Sequence, residues 1–194
     1  MANKLLVTLA IFFVWVDFVR TDCPSGIYES GLSQEDRDYI VSQHNYLRGQ
    51  VASGKVPDQP KATNMKQISY SMELEKKAQE VANTCEFKHV PITGTSWGWV
   101  GQNLFLFLST EYGKGPNWHD AIQYWFDEHK KYKFGSPFSE ETGHYTQLVW
   151  ADTDHAGCGY AHYKKPSGDY SYQKLYVCNY GPGGNVNNQS PYKT

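Results

Sequence analysis

The chain has 194 residues, of which 40% are hydrophobic and 15% aromatic, and its formal net charge is −2 at pH 7. That is enough apolar material for a packed core of one domain. The mild acidity argues against nucleic acid or an anionic membrane surface as a partner.

At the amino terminus Lys4 precedes the apolar run Leu5 to Val16, which Asp17 and Arg20 interrupt. The run is too short to span a bilayer and fits the core of a signal peptide. Residues 1–21 are therefore read as a leader, with cleavage just before Asp22 or Cys23, and residues 22–194 as a single secreted, extracellular domain. Losing Lys4, Arg20 and Asp17 with the leader takes 18 basic and 20 acidic residues to 16 and 19, a net charge of −3. No later run is long and apolar enough for a membrane span.

Ser33 is placed to cap a helix with Asp36 at its third position, and Ile40, His44, Leu47 and Val51 follow at helical spacing. His44 thus falls on a buried stripe and reads as a core histidine hydrogen-bonded to nearby backbone. Residues 50–66 read as a long surface loop, and Ile68-Ser69-Tyr70 as a short strand. A second helix is predicted from Met72 to Thr84, with Leu74, Ala78, Val81 and Cys85 on one face. The run Gln102-Asn103-Leu104-Phe105-Leu106-Phe107-Leu108 could line an apolar groove or simply fill the core. Residues 109–117 form a second loop.

A third helix is predicted from Trp118 to Tyr132. Its apolar face carries Trp118, Ile122, Trp125 and Tyr132, and Glu128 falls on it one turn after Trp125. A carboxylate turned to a core needs a cationic, metal or imidazole partner, unless the helix rolls and lets it reach water. His144 opens a fourth helical segment. The chain then enters two tyrosine-rich runs separated by the turn sequence Pro166-Ser167-Gly168-Asp169.

Four cysteines in an oxidising compartment allow two disulfides in three connectivities. Cys158 and Cys178 are equidistant from Gly168, so an antiparallel hairpin sets them opposite each other. Cys23 then pairs with Cys85.

Two stretches carry a family resemblance: Gly143-His144-Tyr145-Thr146-Gln147-Leu148-Val149-Trp150 and Tyr176-Val177-Cys178-Asn179-Tyr180-Gly181-Pro182-Gly183-Gly184-Asn185. They are similar to the signature motifs of the CAP superfamily, which includes cysteine-rich secretory proteins, insect antigen five and plant pathogenesis-related proteins. Gly157-Cys158-Gly159-Tyr160 and Lys61-Ala62-Thr63-Asn64-Met65 resemble the arthropod venom-allergen branch in particular. The likeness runs from about Ser33 to Tyr192. It implies an α+β fold, an α-β-α sandwich with a small, mainly antiparallel sheet between helices. It also implies a mainly structural role for His44, Asn45 and Arg48.

The resemblance further implies a central cleft formed by His89, Gln102, Glu128 and His144. Zinc is the candidate ion, with His89, Glu128 and His144 as its ligands. Gln102 stands where many members have glutamate; an amide brings no negative charge and cannot act as a general base. With no activated nucleophile recognisable, the reading is a non-enzymatic venom or salivary effector binding a lipid such as a sterol or fatty acid, a metal, or a host or other extracellular protein. The alternative is a metal-dependent hydrolase centred on the same histidines and glutamate.

Overall fold

The structure, a computed structural model, describes Cys23, residues 26–165 and residues 168–194. The leader expected at residues 1–21 and the Pro166-Ser167 part of the expected turn lie outside the described residues. The strands are β1 (Ile27–Ser30), β2 (Ser69–Tyr70), β3 (Gly101–Ser109), β4 (His155–Lys164) and β5 (Tyr172–Gly181). The helices are α1 (Gln34–Ala52), α2 (Met72–Ala82), α3 (Trp118–Asp127) and α4 (Gly143–Leu148), with short 3-10 turns at Glu128–Lys130 and Glu140–Thr142.

The strands form one sheet in the order β1-β4-β5-β3, antiparallel along that path, while the two-residue β2 pairs in parallel with the start of β4. Alternation along β4 and β5 divides the core into two layers. Ala156, Cys158, Tyr160, Tyr176, Cys178 and Tyr180 join Ile40 and Leu47 of α1, Trp125 of α3 and Leu148 of α4 in one buried cluster. The intervening Ala161, Tyr163, Leu175 and Val177 pack with Ala78, Val81 and Ala82 of α2 in the other. Helices thus cover both faces, which makes the fold an α+β, α-β-α sandwich. No helix among the described residues is long and apolar enough to cross a membrane.

Local sequence explains how the elements begin and dock. Ser33 Oγ accepts the Asp36 N–H at 3.1 Å while Asp36 Oδ2 accepts the Ser33 N–H at 2.9 Å, a reciprocal cap at the start of α1. On the α2 face, β4 carries Gly157 and Gly159. A Cβ at either would run into the backbone of the Ser71–Glu75 or Ala78–Gln79 segment, so these glycines let α2 lie directly on the strand.

Cys158 and Cys178 are register partners and form a disulfide with Cα atoms 4.1 Å apart; Cys23 and Cys85 form the other at 5.1 Å. Both pairings agree with the expectation, the first from the spacing about Gly168 and the second because it pairs the cysteines that remain. Some boundaries differ from the sequence expectation. The helix α1 runs on to Ala52, three residues into the segment read as loop. The helix α2 ends at Ala82, and Cys85 adopts φ 58°, a left-handed conformation that a continuing helix could not accommodate. The helix α3 ends at Asp127, so Glu128 is its C-cap and not an interior residue. The apolar run from Gln102 is the strand β3, whose Leu104 is buried while Phe107 and Leu108 are exposed.

The His-Asn-x-x-Arg segment of α1 organises the core. Arg48 is 1% exposed, and its guanidinium donates to the carbonyls of Lys66, Leu148, Trp150, Ala151 and Thr153. One planar fork thereby gathers the end of α4, the turn after it and the approach to β2. Asn45 exchanges two hydrogen bonds with the Ile68 backbone, at 2.9 and 2.7 Å.

Candidate functional site

Four separate segments bring the expected site residues to one place. His89 is exposed in the connection between α2 and β3, Gln102 is the second residue of β3, Glu128 caps α3, and His144 lies in the first turn of α4. The two imidazole rings have centroids 6.5 Å apart.

Each ring is held through Nδ1 by a fixed oxygen. His144 Nδ1 stands 2.6 Å from Glu128 Oε1. The other carboxylate oxygen, Oε2, accepts the backbone N–H groups of His144 and Tyr145, both at 3.0 Å. Glu128 therefore has the imidazole partner its position demanded, and both its oxygens are in use. The Trp125 ring stacks beside His144 at 6.3 Å. His89 Nδ1 stands 3.1 Å from Gln102 Oε1, which also accepts the Val90 N–H at 3.3 Å.

Two asparagines, to which the sequence reading assigned no role, support these contacts. Asn103 is buried and donates through Nδ2 to the His144 carbonyl at 3.0 Å. Asn179, also buried, accepts a hydrogen bond from Gln102 Nε2 at 3.0 Å. The available signal was an uncharged polar residue among apolar neighbours, Leu104 to Leu108 after Asn103 and Leu175 to Cys178 before Asn179: a buried amide must find partners, and these find them in the cleft.

The donor set bears on metal binding. With both Nδ1 atoms engaged by oxygens, neutral His89 and His144 each present a lone pair on Nε2, the arrangement commonly imposed on metal-binding histidines by an outer carboxylate or carbonyl. Among the described residues, no group of three or more His, Cys, Asp or Glu side chains is assembled in a geometry that could hold a metal ion. The donors a metal could use here are the two imidazoles, with Gln102 and Glu128 against their Nδ1 atoms. Glu128 already accepts from three donors, and no serine, threonine or cysteine contacts either imidazole among the described hydrogen bonds.

The sandwich fold and the four-segment cleft define a class that the comparisons identify. The sequence profile described as CAP, the cysteine-rich secretory protein family, matches residues 41–180, and the chain belongs to that family. It is 38% identical to a salivary antigen-5 of Triatoma infestans, over 99% of this chain and 87% of that protein. Identity to a venom allergen 5 of Vespula maculifrons is 36%, over 91% of this chain and 80% of that protein. Among solved structures, that of NaASP2 with Zn2+ superposes with a TM-score of 0.69 at 31% identity, covering 87% of this chain and 90% of that one.

Proposed function

We propose that the protein is a secreted, non-enzymatic venom or salivary effector of antigen-five type whose cleft holds a zinc ion between His89 and His144. In this reading residues 1–21 are a signal peptide and residues 22–194 one CAP domain. The observation that carries the proposal is the pairing of each ring's Nδ1 with a side-chain oxygen, which leaves Nε2 of both rings for a ligand. His89 and His144 are the zinc ligands; Glu128 and Gln102 are the outer partners that orient them. When bound, zinc would supply positive charge and open coordination positions for a further ligand. The likeness to NaASP2, a crystal structure with Zn2+, supports the reading.

Hydrolysis is the weaker reading, because Glu128 spends its oxygens on orienting His144 and α4 and is not free to activate water. A lipid or an extracellular protein remains the natural further partner of such an effector. Phe107 and Leu108 offer an exposed apolar end of β3 to either. Native mass spectrometry of the protein purified from its source tests the assignment. The expected result is one retained zinc per chain, lost in His144→Ala; protein that carries a lipid and no metal would overturn it.

A further inference from the structure

Gln102 and Asn179 are register partners on neighbouring strands, and their side chains form a line of hydrogen bonds with fixed ends. At one end Asn179 Nδ2 donates to the Leu74 carbonyl at 3.3 Å; at the other, Gln102 Oε1 accepts the Val90 N–H at 3.3 Å. A backbone carbonyl can only accept and a backbone N–H can only donate. Turning both amides over would set Asn179 Oδ1 against the Leu74 oxygen and Gln102 Nε2 against the Val90 N–H. Turning one alone would also set like against like between the two side chains. The polarity of the line is therefore determined from both ends.

We propose that Asn179 is a positioning residue of the cleft, which fixes the Gln102 amide so that its carbonyl faces His89 and holds that ring as the Nδ1–H tautomer with its lone pair on Nε2. The inference deepens the zinc reading and rests on it only for the purpose the tautomer serves. It also gives the Gln102 amide a bond that glutamate cannot make, the one to Asn179. A carboxylate would still accept from His89 and Val90, but it has no N–H for Asn179 Oδ1, and two acceptors would meet 3.0 Å apart in a part-buried site.

The tautomer is read directly from the ring ¹⁵N resonances of His89 in the labelled, metal-free full chain at pH 8. Wild type is expected to show protonated Nδ1 and unprotonated Nε2. Asn179→Ala and Gln102→Met are expected to give mixed tautomers, and zinc binding to either is expected to weaken about tenfold, as is usual when an outer-shell partner is removed. Gln102→Glu is expected to keep the wild-type tautomer and to lower the melting temperature, a penalty that disappears in the Asn179→Ala background. Wild-type His89 found protonated on Nε2, or a folded Asn179→Ala protein with unchanged His89 resonances, would overturn the proposal. If Asn179→Ala fails to fold, the wild-type spectrum and that of Gln102→Met decide it, an unchanged tautomer in the latter counting against it. Absence of zinc binding with the expected tautomers would refute the metal reading and leave the positioning role standing.

Discussion

His44 and Tyr180 meet in the centre of the molecule, with His44 Nε2 2.9 Å from the tyrosine hydroxyl and both side chains fully buried. His44 Nδ1 lies 2.7 Å from the Ile40 carbonyl, so that nitrogen carries the proton and Nε2 accepts from Tyr180. The same hydroxyl accepts from Asn103 Nδ2 at 3.3 Å, and Asn103 also holds the His144 carbonyl. A hydrogen-bonded line thus joins α1 to the cleft, and His44 has no ligand position to offer.

That arrangement makes the protein sensitive to acid. Burial pushes the His44 pKa down to about 4, against about 6.5 in an unfolded chain. The depressed value means that the unfolded state takes up the proton first. Stability is complete above about pH 6.5 and falls as the pH drops toward 4, by about 2 to 3 kcal/mol at pH 4.5 from this group. Urea denaturation at pH 7 and 4.5 measures it. His44→Gln should be less stable than wild type at pH 7, with a pH dependence shallower by that amount. A residual slope should persist, because burial also lowers the pKa of His129 and His162.

The glycines make a contrasting pair. Gly159 lies beneath the backbone of Ala78 and Gln79, which cannot move without lifting α2 off β4. Gly159→Ala should cost at least about 3 kcal/mol, at the upper end for overpacking. Gly49 is an exposed residue within α1, with nothing within 4 Å of an added Cβ. Gly49→Ala should stabilise by about 1 kcal/mol through helix propensity. Thermal melts of both variants give the comparison.

The disulfide across β4 and β5 closes a chain separation of 20 residues. Replacing Cys158 and Cys178 together by alanine should cost about 3 kcal/mol by loop-closure entropy, read as a shift in the denaturation midpoint. Non-reducing peptide maps of wild type should yield Cys158 joined to Cys178 and Cys23 joined to Cys85. A Cys23–Cys158 peptide would contradict the fold described.

Much of the architecture was legible in the residues themselves. Ile40, His44, Leu47 and Val51 announce α1 because helical spacing of buried side chains is a local signal, and Gly168 midway between Cys158 and Cys178 announces the hairpin. The ends of α2 and α3 were not legible. The apolar pattern runs on through Cys85 and Tyr132, yet the chain leaves α-helical geometry where Cys85 joins Cys23 and where Glu128 takes the hydrogen bonds of His144. Arg48 shows the same limit. Nothing in its neighbours along the chain states that five carbonyls from distant segments converge on it. The gathering of His89, Gln102, Glu128 and His144 was expected only through family resemblance, because four segments 13 to 55 residues apart carry no common local pattern. The partners behind them, Asn103 and Asn179, depend on strand register and came from the structure alone.

The central claim, that His89 and His144 together hold a zinc ion, is tested most directly by titrating zinc into the metal-free protein at pH 7.5 in a calorimeter, with His89→Ala and His144→Ala measured alongside. One zinc per chain is expected for wild type, with the heat of binding lost in both variants while their melting temperatures stay close to that of wild type. Equal zinc binding by wild type and either folded variant would place the ion elsewhere and contradict the assignment of the cleft.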